Sequence, residues 1–162
     1  MSDTIVDVLR WYAVIGSAIM LGLFFTFSVF MLQSFNKIAP AQAIAAMQSI
    51  NANIAAPLFV LAFAGTALVS LGLGGWSVAH LGERHAVYAL IGCVLFLLGT
   101  IVVTVGFNIP LNNDLDKLDP NAATAASDWK TFVDSWLPWN HLRTVLNLGA
   151  LVFFILSIRE AA

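Results

Sequence analysis

Four stretches of the chain are apolar almost without interruption: about Trp11 to Leu32, about Ile54 to Val78, about Ala86 to Phe107 and about His141 to Ile158. Each can carry a helix across a bilayer, which takes about 20 mostly apolar residues at roughly 1.5 Å of rise per residue. The first three contain no Asp, Glu, Lys or Arg, and the fourth holds only Arg143, near its start. Lipid offers backbone N–H and C=O groups no partners, so these stretches must satisfy themselves as helices. The pattern predicts an all-α fold, a transmembrane four-helix bundle formed by one domain over residues 1–162, with two longer loops on one membrane face.

Those loops follow from unequal connections. His80 to His85 makes a short polar turn, whereas Gln33–Asn53 and Asn108–Asn140 are long. In an alternating bundle both long connections emerge on one side, and the termini share the other side with the short turn. Composition agrees with lipid as the solvent. Of 162 residues, 60% are hydrophobic and 10% charged, and the mean hydropathy is +0.89; a typical soluble domain carries about 25% charged residues. Seven Lys and Arg with nine Asp and Glu cannot coat a water-soluble globule of this size. A formal net charge of −2 supplies no basic face for nucleic acid. A soluble enzyme, a nucleic-acid partner and a disordered tail are therefore excluded. The single cysteine, Cys93, leaves no intrachain disulfide, dithiol redox motif or zinc–thiolate cluster.

The first apolar run has an acidic flank and is too long for a signal-peptide core, so it is expected to remain as a helix. Arg10, Arg84 and Arg159 flank the spans on the side of the termini, against Lys37, Lys117 and Lys130 on the other. That count is a tie under the positive-inside rule. The closeness of the arginines to the span ends tips the expectation towards a multi-pass protein of the cell membrane with cytoplasmic termini.

Polar side chains inside hydrocarbon are costly, so their placement carries most of the functional information. Thr100, Thr104 and Asn108 recur every four residues and share one face of the third helix. That face lies about 140° from Gly92, Gly99 and Gly106, a small-residue stripe suited to packing within the bundle or, less economically, to a seam in a homo-oligomer. Pro110 is expected to stop this helix, ahead of Asn112 and Asn113. Asn140, Arg143, Thr144 and Asn147 fall within an arc of about 100° on the fourth helix. Gln48, Asn51 and Asn53 mark the start of the second, and Thr26 and Gln33 close the first. All sit at helix ends that meet the long loops, and together they predict one polar pocket capped by Trp129, Trp136 and Trp139. The opposite ends lack an equivalent cluster, which counts against a transporter or channel.

Taken singly, each feature has a plain structural explanation. Thr100 and Thr104 can bond to carbonyls of the preceding turn, tryptophans form interfacial belts, asparagines cap or brace helices, and Arg143 can snorkel to lipid phosphate. Their coincidence at one end, on one inward arc, favours a ligand pocket. Arg143 dominates it: its planar fork stays charged and has no acid among its span neighbours. Its counterion is expected to be Asp128 or Asp134, folding in from the loop, or an anionic substrate such as a phenolate or enolate. Candidate catalytic residues are Arg143, Asn140 and His141; candidate substrate-binding residues are Gln48, Asn51, Thr104, Asn108, Asn112, Trp136, Trp139 and Asn147. No metal and no cofactor is expected. His80 and His85 lie on the opposite side from His141, no metal-ligand spacing falls within a span, and neither a phosphate loop nor a Ser-His-Asp arrangement is present.

The run from Val105 through Asn108, Pro110, Asn112 and Asn113 to Leu115, then Trp129, then Trp139-Asn140-His-Leu-Arg143-Thr144, resembles the anthrone oxygenase family. Phe24-Phe-Thr-Phe-Ser28 and Met47-Gln48-Ser-Ile-Asn51 extend that resemblance over almost the whole chain. It implies a small four-helix membrane protein, some of whose relatives insert oxygen into polycyclic phenolic anthrones without an obvious metal or flavin. Carried over by position, Asn108, Asn112, Trp139, Asn140 and Arg143 are the motif residues. The chemistry that suits both lines is loss of a proton from a C–H beside a carbonyl, giving an enolate that reduces O2 itself. Arg143 and Asn140 would hold the enolate oxygen, and Trp136 and Trp139 would stack on a flat ring. The base is the open element: His141 points about 100° from Asn140, and Asp114 and Asp134 are loop alternatives. The competing expectation is a lipid- or quinone-binding membrane protein, or an accessory subunit of a membrane complex. On either reading the partners are the lipid bilayer and an apolar aromatic molecule, quinone or lipid.

Overall fold

The computed structural model describes residues 3–161. It contains five helices: α1 (Asp3–Phe35), α2 (Pro40–Asn53), α3 (Pro57–Val78), α4 (Arg84–Leu115) and α5 (Ala125–Ala161). No strand occurs among the described residues. All but α2 are long and apolar enough to cross a membrane. α1 packs on α3 and α5, and α4 packs on the same two, which closes a ring of four alternating spans.

The distribution of side chains explains why this ring is stable in lipid. Ile15, Ile19, Leu68, Leu71, Val145 and Leu148 face outwards, while Ser17, Thr66, Ser70, Thr100, Asn108, Asn140, Asn147 and Ser157 are buried. Water would penalise that arrangement and hydrocarbon favours it. The chain is a multi-pass membrane protein. Two of the three glycines in the α4 stripe allow close packing: a Cβ at Gly92 would lie 2.7 Å from the Phe154 ring, and one at Gly99 would lie 2.7 Å from the Cβ of Leu146. Gly106 has open space beside it and plays no such part. A second close approach joins α1 to α3, where a Cβ on Gly16 would overlap the Thr66 hydroxyl.

Both long connections are on one face, as the pattern predicts, but they are mostly helical. Gln48, Asn51 and Asn53 do not begin a spanning helix; they belong to α2, which ends at Asn53 before the span opens at Pro57. α2 caps the bundle by burying Ala43, Ile44 and Met47 against Trp129, Phe132, Val133 and Trp136. These four residues of α5 recur at the spacing of one helix face, so the segment before His141 folds as a forward extension of the span. Pro110 does not stop α4. A π-helical turn at Thr104–Asn108 precedes it, and the wider turn draws away the carbonyls that a proline ring would otherwise strike. Further π-helical turns occur at Phe27–Met31, Leu61–Gly65 and Leu97–Val102.

The far end of the bundle is not plain. Arg10 is buried there, and Ser17, Thr66, Ser70 and Ser77 are buried along the α1–α3 side, contrary to the expectation of an apolar half. Ser and Thr blend into an apolar stretch because they are small, and Arg10 reads in sequence as an interfacial anchor.

Candidate active site

The cavity lies where the two apolar clusters of the bundle meet. α1 contributes Phe24 and Phe27, α2 contributes Met47 and Asn51, α4 contributes Thr104 and Asn112, and α5 contributes Trp136 and Arg143. Its volume is about 200 Å³. Three of the four π-helical turns supply a wall residue: Phe27, Phe63 and Thr104. Such turns rotate the helix face and gather at functional sites.

Arg143 is only 6% exposed, so it neither snorkels nor splays into lipid. Its Nη1 donates to Thr104 Oγ1 at 3.2 Å and its Nη2 to Asn140 Oδ1 at 2.7 Å. The guanidinium carbon lies 4.3 Å from the centre of the Phe24 ring and 5.1 Å from that of Trp136, within the range of cation–π attraction. Its Nε is buried with no hydrogen-bond partner. Neither expected aspartate reaches it: Asp134 pairs with Lys130, and Asp128 lines a separate cleft beside Leu111 and Leu118. Among the described residues Arg143 has no carboxylate partner, so its charge is held by neutral oxygens and aromatic faces alone.

The remaining sequence-predicted residues fall into three groups. Asn51, Thr104, Asn112 and Trp136 line the cavity with Arg143. Asn112 Oδ1 accepts from Trp136 Nε1 at 2.8 Å, which fixes the indole and leaves the Asn112 amide as a donor. Asn51 Nδ2 donates to Asp116 Oδ1 at 2.9 Å, tying the α2 cap to the end of α4.

Gln48, Asn108, Asn140 and Asn147 brace the wall from behind. Gln48 donates to the Leu115 and Leu118 carbonyls at 2.9 and 3.0 Å. Asn140 Nδ2 is committed to the Phe24 carbonyl and Ser28 Oγ, both at 2.8 Å. Asn140 therefore orients Arg143 and does not donate to a ligand, which corrects its expected role beside the enolate oxygen. Asn147 accepts from Thr100 at 3.0 Å and donates to the Arg143 carbonyl at 2.9 Å. Asn108 Nδ2 makes a long 3.4 Å bond to the Trp136 carbonyl, and its Oδ1 is buried without a partner.

Trp139 and His141 lie outside the cavity. Trp139 stacks on Phe107 with ring centres 3.6 Å apart, joining α4 to α5 on the outer side. His141 is on the exposed face of α5, because a residue next to the inward Asn140 is rotated by about 100°. Trp129 does not line the cavity either; it is buried in the layer under α2, and its indole donates to Asn36 Oδ1 at 2.7 Å.

Two contributors, known from the sequence only as the ends of the Phe24–Ser28 motif, had no expected role at the site. Ser28 receives Asn140 and sits 2.9 Å from Thr144 Oγ1, and Phe24 supplies both a carbonyl and a ring face. Phe24 and Ser28 are four residues apart and so share a face of α1, which was a visible signal. No group of three or more His, Cys, Asp or Glu residues that could hold a metal exists among the described residues.

Beside the cavity an apolar groove of about 670 Å³ runs between α1 and α3. Leu23, Ile54 and Phe59 line both spaces. The groove reaches from Leu23 to Tyr12 along α1, about 16 Å by helical rise. Its rim residues Ile15, Ile19, Leu58 and Leu61 are exposed, so it opens sideways at the depth of the acyl chains.

Fold and site define a small membrane-embedded bundle whose cavity holds one buried arginine beneath an aromatic wall. The chain belongs to the anthrone oxygenase family, whose family model, described as anthrone oxygenase, matches residues 47–153. That match spans α2 from Met47, all of α3 and α4, and α5 through Phe153, Arg143 included, and leaves Phe24 and Ser28 of α1 outside it. No curated protein and no solved structure matches the chain.

Proposed function

We propose that the cavity binds an apolar aromatic molecule of the phenol or anthrone type and promotes its oxygenation by O2, without a resident metal or organic cofactor. The observation that carries this reading is the unpaired Nε of Arg143, in a cavity lined by no carboxylate. A buried cation held only by neutral groups stabilises negative charge that develops on a ligand oxygen, and it does so in a low-dielectric site where the effect is large.

The overall change converts a CH2 flanked by aromatic rings into a carbonyl: one O2 enters, one oxygen atom stays on carbon and the other leaves as water. Loss of a proton gives an enolate whose oxygen rests on Arg143. The carbanion adds O2 and takes a proton to form a hydroperoxide, which eliminates water as the remaining C–H is lost. His141 is withdrawn as the base. Apart from Arg143, no titratable side chain among the described residues lines the cavity. Asp116, bonded to Asn51, is the sole carboxylate hydrogen-bonded to a residue that lines this cavity among the described residues, and it offers a route for the proton to solvent. The side groove supports entry of the substrate from the bilayer.

A second reading rests on that same groove. A long apolar space joined to a compact cavity also suits a quinone or lipid with a chain, bound without turnover. O2 uptake by the purified chain with an anthrone decides between them. Consumption of one O2 per anthrone, unaffected by chelators and lost on Arg143→Met, supports the oxygenase; a chelator-sensitive reaction, or none alongside tight quinone binding, refutes it.

A further inference from the structure

A second buried arginine stands at the opposite end of the bundle, beside a cavity of about 440 Å³ bounded by the start of α1, the end of α3 and the turn into α4. Arg10 is 3% exposed. Its Nη1 donates to Asp7 Oδ1 at 2.8 Å, whereas its Nε and Nη2 are buried with no partner among the described residues. Those two nitrogens form the side edge of the guanidinium fork, the edge that engages two oxygens of one phosphate or carboxylate. Leaving such donors unsatisfied is costly, so the site is built for an acceptor with paired oxygens.

The surroundings narrow the choice. Asp3, Asp7 and Glu83 also line the cavity, with Asp7 on Arg10 and Glu83 Oε2 2.8 Å from His85 Nε2, which leaves Asp3 and the second oxygen of Glu83 as acceptors. This opposes a bare anion and favours a ligand with a positive group close to its phosphate. The carboxylates accept hydrogen bonds, so they suit a primary ammonium. A quaternary ammonium would need free aromatic faces, but Trp76 already stacks on His80 at 4.4 Å and His85 at 5.9 Å between ring centres, with the Arg10 guanidinium 5.3 Å away. Position points to a lipid. Ile5, Val8, Trp11, Val78 and Leu81 next to the cavity are exposed and apolar, which places it at the rim of one leaflet.

We propose that this cavity binds the headgroup of a phosphatidylethanolamine-type lipid, with the phosphodiester on Arg10 Nε and Nη2 and the ammonium on Asp3 and Glu83. The site is separate from the Arg143 cavity and independent of what that cavity does.

The test uses the full chain in nanodiscs made from equal amounts of phosphatidylethanolamine, phosphatidylglycerol and phosphatidylcholine, followed by native mass spectrometry of the lipids it retains. The expected result is enrichment of the ethanolamine lipid, reduced about tenfold or more by Arg10→Gln, the loss typical of a charge-assisted hydrogen-bond pair. The double variant Asp3→Asn with Glu83→Gln changes two exposed side chains, so it keeps the fold and is expected to move the preference to phosphatidylglycerol. It decides the matter if Arg10→Gln does not fold. Equal retention of the three lipids, a preference that survives both variants, or displacement by soluble glycerophosphoethanolamine at matched concentration would overturn the assignment.

Discussion

Replacing Arg143 by Met removes the charge while keeping much of the side-chain volume, and it separates catalysis from folding. A unit charge about 4 Å from an enolate oxygen contributes about 4 kcal/mol at an effective dielectric constant of 20. Loss of a single preorganised donor to an oxyanion commonly costs about 10²–10³ in rate. Turnover of an anthrone should therefore fall by at least about 10²-fold. Stability should respond far less. The variant strands Asn140 Oδ1 and weakens the setting of Thr104, a penalty of about 1–3 kcal/mol for a buried acceptor left unpaired. It also relieves the burial of an unpaired guanidinium, itself a penalty of several kcal/mol, so the two effects oppose. Methionine retains contact with the Phe24 and Trp136 rings through its thioether. The assay is an oxygen electrode on protein in nanodiscs, paired with near-ultraviolet circular dichroism during heating. Turnover within threefold of the parent, with the unfolding midpoint unchanged, would refute the role given to this side chain. A collapse of the midpoint with no folded protein left would recast Arg143 as a structural brace. Arg143→Lys sharpens the comparison, because an ammonium keeps the charge yet cannot span Thr104 and Asn140 as a planar fork does; it should recover only part of the rate.

Asn140→Leu should release Arg143 from its 2.7 Å anchor and lower turnover by about tenfold or more, with a stability loss of about 1–3 kcal/mol, read from the same oxygen and melting assays. His141→Ala should leave turnover unchanged, since the imidazole lies on the exposed face; a steep loss would return it to the mechanism. Gly99→Leu forces a side chain onto Leu146 and should destabilise the bundle by about 1–3 kcal/mol, seen as a lower midpoint in detergent. Ile19→Trp, at an exposed groove position, should raise KM for apolar substrates while sparing kcat, and an unchanged KM would show that entry does not use the groove.

The bundle was legible in the sequence because span length and the absence of charge leave the backbone few options in lipid. The gathering of Asn51, Thr104, Asn112, Trp136 and Arg143 was legible for a related reason: polar groups in an apolar stretch must turn inwards. Three kinds of information were hidden. Whether an asparagine faces the cavity or braces it from behind depends on rotations of tens of degrees and on the partners that neighbouring helices present, such as the Phe24 carbonyl and Ser28 to Asn140 and Thr100 to Asn147. The connections were misread because α2 and the start of α5 are amphipathic by only one narrow stripe each, Ala43, Ile44 and Met47 against Trp129, Phe132, Val133 and Trp136, and Pro110 suggested a break. Arg10 was hidden differently, since an interfacial anchor and a buried donor have the same sequence signature.

The sideways opening between α1 and α3 has a kinetic consequence. A molecule that arrives through it is drawn from a two-dimensional reservoir, so the concentration that matters is mole fraction in the membrane and not moles per litre of buffer. Adding inert lipid or detergent at constant total substrate then slows the reaction by surface dilution, and reported affinities scale with the amount of bilayer present. Partitioning also performs part of the selection: ionised or well-hydrated phenols are under-represented in that reservoir before any side chain has met them.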